Sequence, residues 1–300
     1  MTLANFIIAG TEKAGTTSVF TYLSTHPSGC GSTVKETDFF RNGYSGDHSN
    51  DALQYVKYFA NHCGQKTIVM EASPGYLGSG MEVAPRIHAL IPQTKLLFIL
   101  RNPVDRMYSS FNFHVGKLNI RKDMSFSEYI DQCIAYDSGQ KSAVELGMDE
   151  WYLKVISYGQ YAEYLKYYYQ YFPAKQIKIM FFEDMNRDIL GFMQELCQFL
   201  EIPSDYFADY DFKKINVTYE SRLKWLHKMA VWFNAKSERF LRQRPQLKQL
   251  LVDLYKKTNQ AREGYDQISD QDYARLKQYY APSVDSLRVL IENRTIPWNM

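Results

Sequence analysis

Asn5-Phe6-Ile7-Ile8-Ala9-Gly10-Thr11-Glu12-Lys13-Ala14-Gly15-Thr16-Thr17-Ser18 is the stretch from which the rest of the chain can be read. Asn5 to Ala9 is a short apolar run of the kind that forms a strand buried on both faces. From Thr17 to Ser24 the apolar residues recur at helical spacing. A strand that passes through a tight turn into a helix aims several backbone N–H groups at one anion-sized space, in line with the helix N-terminus. Gly15 lets the backbone come close to an anion, Thr16, Thr17 and Ser18 add hydroxyl donors, and Lys13 adds a full positive charge. Lys13, Ala14, Gly15, Thr16, Thr17 and Ser18 therefore read as a phosphate cradle, against the alternative of a plain strand-to-helix turn with one solvated lysine. A Walker A loop, G-x-x-x-x-G-K-[ST], sets its lysine directly after the second glycine. Here Thr16 holds that place and the lysine lies two residues before Gly15.

Working outward, Thr67 to Met70, Lys95 to Leu100 and Ile177 to Phe181 are further short apolar runs, each leading into a turn and a helical pattern. Val83 to Leu90, Val104 to His114 and Ile189 to Leu200 have helical spacing, and Pro103 sits where a first helical turn tolerates it. Strands alternating with helices predict an α/β chain with a P-loop-like three-layer fold, a central parallel sheet flanked by helices. Ligands of such sheets bind beyond the carboxyl ends of the strands, at the topological switch point. The chemistry is expected at residues 10–18, 71–76 and 101–109. Arg41 to Asn50 is rich in Gly, Ser, Asn and Asp and reads as an exposed loop bordering a substrate cleft. Lys213 to Arg262 is basic and helical in pattern, divided at Pro245. With no repeat or linker, residues 1–300 read as one domain with a helical, basic part from about 213.

A net charge of +2 over 300 residues gives no sign of a nucleic-acid partner. The four cysteines, Cys30, Cys63, Cys133 and Cys197, form no C-x-x-C pair, so free packed thiols are expected and neither a zinc site nor a disulfide framework. No leader-like segment opens the chain, and no apolar run approaches the roughly 20 residues of a membrane span. A cytoplasmic protein without a transmembrane segment is the expectation; peripheral membrane contact and oligomeric state stay open.

Arg101-Asn102-Pro103-Val104-Asp105-Arg106-Met107-Tyr108-Ser109 follows the third of these strands. An arginine at the strand end and a serine two turns into the next helix can grip a second phosphate, since the guanidinium fork matches phosphate oxygens. An ordinary strand-end salt bridge is the alternative. Lys-x-Gly-Thr-Thr resembles the 5′-phosphosulfate loop of the sulfotransferases that use 3′-phosphoadenosine 5′-phosphosulfate (PAPS), and Arg101 with Ser109 resembles their 3′-phosphate site. The resemblance runs in order along nearly the whole chain. It implies Tyr161, in Tyr158-Gly159-Gln160-Tyr161, near the adenine, with Phe182-Glu183-Asp184 as a further family segment. Lys213 to Thr218 with Ser221-Arg222 is similar to the basic loop over the 3′-phosphate, through Lys214 or Arg222, although the R-K-G-x-x-G-D-W form is absent.

Sulfuryl transfer needs attacking and leaving oxygens in line and a cation at the leaving group. Lys13 is that cation, and no metal is expected. Small-molecule sulfotransferases use a histidine after the second strand, where this chain has Met70-Glu71-Ala72-Ser73-Pro74. Lys35-Glu36-Thr37-Asp38-Phe39-Phe40 instead resembles the glutamate motif of the heparan sulfate and bacterial branch, which implies Glu36 as base, with a surface ion pair to Lys35 as the bland alternative. Asp38 and Ala72 depart from the His and Lys usual in that branch. The implied reaction is transfer from PAPS to a hydroxyl or amine of a saccharide, lipid or small metabolite, releasing 3′-phosphoadenosine 5′-phosphate (PAP). Two alternatives remain: a P-loop kinase or NTPase using Mg-ATP, with Glu71 as metal-holding carboxylate, and a noncatalytic anion or membrane-surface module built on Trp225, Trp232, Phe233 and Phe240.

Overall fold

A computed structural model of the chain describes residues 2–59, 63–64, 66–213, 219–221, 260–263, 267–292 and 295–300, with only the backbone of 219–221 and 260–263. Five parallel strands make the central sheet: β1 (Phe6–Gly10), β2 (Gly29–Gly31), β3 (Ile68–Ala72), β4 (Lys95–Leu100) and β5 (Ile177–Phe181), in the order β2-β3-β1-β4-β5. β1 lies in the middle, in register with β3 through Phe6 and Met70 and with β4 through Phe6 and Lys95. Four of these strands are the apolar runs of the sequence. β2, Gly-Cys-Gly, carries no apolar run at all and is a strand because Cys30 pairs with Val69 on β3.

Burial on both faces explains these apolar runs. Phe6, Ile8, Met70, Leu97 and Ile99 face one layer, with Val19 and Leu23 of α1 (Thr16–Thr25) and Phe192 and Leu196 of the helix Ile189–Leu200. Ile7, Ala9, Val69, Leu96 and Phe98 face the other. That second layer holds Val83 and Ile87 of the helix Gly80–Leu90, Met107 of the helix Pro103–Gly116, Leu165 and Tyr168 of the helix Tyr161–Tyr171, and Leu276, Tyr280 and Val284 of the helix Asp270–Leu290. Three layers result, as the alternation predicts. None of the described helices is long and apolar enough to cross a membrane.

Two expectations are corrected. Cys30 and Cys63 are not free thiols but a disulfide, with Cα atoms 5.4 Å apart across 33 residues of sequence. Their pairing depends on the short edge strand β2, which no pattern signals. Cys133 and Cys197 are buried free thiols, and burial pushes them up to about 12 and about 11. Within the stretch read as helical, Tyr219–Ser221 and Gln260–Glu263 are strands, paired antiparallel with Glu220 opposite Arg262. Lys214, Arg222, Pro245 and the aromatics Trp225, Trp232, Phe233 and Phe240 lie outside the described residues.

Candidate active site

The chain lays β2 and β3 on one side of β1 and β4 and β5 on the other, so the carboxyl end of β1 is the switch point of the sheet. The Thr11 N–H donates to the Ile99 carbonyl (2.9 Å) and the Ser73 N–H to the Ile8 carbonyl (3.1 Å), which draws the ends of β4 and β3 against the loop after β1. Lys13 and Gly15 both have left-handed backbone, φ 63° and 77°. At Gly15 the requirement is double, because a side chain there would also collide with the Met185 methyl. The N–H groups of Ser18 and Val19 bond the Gly15 carbonyl at 3.0 and 3.2 Å and start the helix; Ala14, Thr16 and Ser18 are buried while Thr17 stays half-buried. This is the closely approachable backbone that an anion needs.

The Lys13 ammonium lies 4.1 Å from the centre of the Phe113 ring. Burial lowers its pKa to about 8; Glu12 works against this, and Arg101 and Lys117 add to it. A cation so poorly compensated gains more from an arriving anion than a solvated lysine does.

Arg101 leaves the end of β4 and its Nη1 donates to the Lys13 carbonyl at 2.8 Å, while its guanidinium stacks 4.7 Å from the Phe182 ring. The two predicted phosphate anchors are thus one unit. Ser109 is half-buried on the following helix, one turn beyond Asp105. Tyr161 is only 1 % exposed and its hydroxyl donates to the Arg101 carbonyl at 2.7 Å, so it braces the residue expected at the 3′-phosphate.

On the other side, the Glu36 N–H bonds the Ala72 carbonyl at 2.9 Å, which sets the loop after β2 against the end of β3. The Glu36 side chain is 56 % exposed and its carboxylate meets the Lys35 ammonium at 2.5 Å. Glu71 is enclosed by hydroxyls: Tyr55 at 2.6 Å, Ser73 at 2.8 Å, Tyr76 at 3.4 Å and the close Thr37. Burial raises its pKa despite these donors. Every donor on it is a protein hydroxyl, so it is not the open carboxylate that a Mg-ATP enzyme requires.

A shallow surface indentation lies against the loop after β1, lined by Thr11, Glu12, Pro74, Gly75, Trp151 and Tyr158 among others. Arg41 covers the Trp151 ring at 4.7 Å and pairs with Asp38 at 3.4 Å, tying the loop of Glu36 to this indentation. Glu12 carries no motif of its own in the sequence. Its Oε1 accepts from Arg106 Nη1 and from Ser110 Oγ, both at 3.3 Å, and Arg106 is completely buried. The signal was its place beside Lys13; its partners come from a helix that sequence spacing does not bring near.

Fold and site together define an anion-binding α/β protein with a phosphate loop that is not of the ATPase type. The sequence model of the sulfotransferase domain family matches residues 3–247, and the chain belongs to that family, whose sulfuryl donor is PAPS. It is 29 % identical over 235 residues to the bifunctional heparan sulfate N-deacetylase/N-sulfotransferase of Drosophila melanogaster, covering 71 % of this chain and 21 % of that protein. It is 26 % identical over 194 residues to human heparan sulfate glucosamine 3-O-sulfotransferase 6, covering 65 % and 51 %. The chain therefore spans about a fifth to a half of the length of these relatives. The crystal structure of a sulfotransferase from Alicyclobacillus acidocaldarius superposes with a TM-score of 0.66 at 23 % identity over 98 % of both chains, which is a likeness of fold.

Proposed function

We propose that this chain transfers the sulfuryl group of PAPS to a hydroxyl or amine of a saccharide, lipid or small metabolite, and that residues 1–300 act as one sulfotransferase domain. The observation that carries this is the bond from Arg101 to the Lys13 carbonyl, which joins a phosphosulfate loop to a second phosphate anchor. Lys13 to Ser18 hold the 5′-phosphosulfate; Arg101 and Ser109 hold the 3′-phosphate, with Lys214 or Arg222 added from outside the described residues. The acceptor enters beside Glu12 and Trp151. Its oxygen or nitrogen bonds to sulfur as the bond from sulfur to the 5′-phosphate oxygen breaks. PAP leaves with that electron pair, stabilised by Lys13, and Glu36 takes the acceptor proton.

Because the leaving charge meets an ammonium and backbone donors, the reading requires no metal, and turnover should survive EDTA. The relatives named for heparan sulfate make a saccharide the first acceptor to try, with both an amine and a hydroxyl in the screen. The Cys30–Cys63 disulfide supports an oxidising compartment over the cytoplasm expected from the sequence.

A thermal-shift comparison of PAP, ADP and Mg-ATP tests the donor, since a ligand that binds only the folded state stabilises it by mass action. Selective stabilisation by PAP is the expected result. Stabilisation by Mg-ATP alone would overturn the proposal.

A further inference from the structure

Arg101 is useful only if its fork faces the phosphate, and its direction depends on the peptide unit that follows it. That unit is held at both ends. The carbonyl of Arg101 accepts from the Tyr161 hydroxyl at 2.7 Å, and the N–H of Asn102 donates to Glu183 Oε1 at 2.8 Å. The second oxygen of the same carboxylate, Glu183 Oε2, accepts from the Trp298 indole N–H at 2.8 Å. Trp298 is itself 5 % exposed, with ring centres 5.4 Å from Phe181 and 5.9 Å from Tyr161. Asn102 is held once more by its side-chain amide, which donates to the Tyr273 hydroxyl at 3.1 Å.

We infer that Glu183 and Trp298 are positioning residues that set Arg101 for the 3′-phosphate of the donor, so that residues 295–300 help the site discriminate a 3′-phosphorylated nucleotide from its plain counterpart. The inference rests on the donor reading above. A carboxylate with both oxygens engaged cannot rotate, and a peptide plane pinned at its carbonyl and its N–H cannot tilt. A bidentate guanidinium contact is sensitive to such tilts, whereas the 5′-phosphate site is built from the backbone and hydroxyls of the loop itself, which Arg101 touches only at the Lys13 carbonyl. Glu183 also places a negative charge near Arg101, opposing the effect of burial on the guanidinium.

The test is calorimetric titration of the whole protein with PAP and with adenosine 5′-monophosphate, which differs from PAP by the 3′-phosphate. Trp298→Phe keeps an aromatic ring and deletes the N–H; Glu183→Gln keeps the size but can accept from only one of the two partners. Each should lower the preference for PAP over the monophosphate about tenfold, the scale of one hydrogen bond to a charged group, with any loss of monophosphate affinity much smaller than the loss of PAP affinity. Tyr161→Phe, which frees the carbonyl end, should do the same. Equal weakening of both nucleotides in all three variants would mean a merely structural role, and an unchanged preference would mean none; either result overturns the inference alone. A wild type that binds the monophosphate as tightly as PAP would instead sink the donor reading, and this inference with it.

Discussion

The proposed donor side and the proposed acceptor side of this site are built by different means. Lys13, Gly15 and Arg101 sit at the ends of β1 and β4, where backbone hydrogen bonds between strands fix the loop and burial lowers Lys13. Glu36, Asp38 and Arg41 sit on a loop after the three-residue edge strand β2; its backbone is tied to β3 and its Phe39 and Phe40 are buried, but the charged groups of Glu36, Asp38 and Arg41 are held in part-exposed ion pairs. Preorganised groups in a desolvated setting carry large energies, and exposed pairs carry small ones. On the proposed reading, donor binding is anchored in the sheet, while the acceptor side is free to be shaped by loops.

The largest effect is expected at Lys13. Lys13→Ala should reduce PAP formation by about 10²- to 10³-fold, the cost of losing one preorganised charge-stabilising group, with an unchanged circular dichroism spectrum. A small loss would mean that the donor side is not the rigid partner in this comparison. Next is Glu36→Gln, which should slow turnover by about 10²-fold if the carboxylate is the base, while calorimetry finds PAP affinity unchanged. Retained turnover would move the base elsewhere, with Glu12 the first carboxylate to examine because it lines the indentation.

The same division governs what can be read from the sequence. β1 and β4 are legible because burial on both faces leaves apolar runs, β5 because only Lys178 interrupts its run, and the loop after β1 is legible because Gly15 and Lys13 do local work. β2 and the Cys30–Cys63 disulfide are not legible, since each exists only once β3 lies alongside. Tyr161 illustrates the intermediate case. The motif places it beside the expected nucleotide site, but its hydroxyl is aimed at the Arg101 carbonyl by packing of the helix Tyr161–Tyr171, which no local pattern encodes. Glu12, Arg106 and Ser110 form a network across about a hundred residues, invisible for the same reason.

A smaller effect should appear with pH. Lys13 titrates at about 8 in the nucleotide-free protein, and an anion bound beside it raises that value. Binding above pH 8 must then take up a proton, so PAP affinity should fall as pH rises, by up to about tenfold per unit. The window above pH 7.5 keeps clear of the phosphate pKa near about 6. Lys13→Arg should flatten the profile, because a guanidinium stays charged throughout. A flat wild-type profile would show that Lys13 is not the desolvated cation of the donor side.

The smallest effect belongs to Lys35, and it separates the two sides most directly. Its ammonium meets Glu36 at 2.5 Å, yet the Glu36 side chain is 56 % exposed. Exposed pairs contribute about 0–1 kcal/mol, because solvent screens them and ordering two long side chains costs entropy. Lys35→Ala should therefore leave the melting temperature within about 2 °C of wild type and PAP affinity unchanged. Turnover should stay within about threefold, since the main-chain bond from Glu36 to the Ala72 carbonyl still holds the loop. A loss of turnover as large as that of Glu36→Gln would mean that Lys35 orients the base, and that the acceptor side is as preorganised as the donor side.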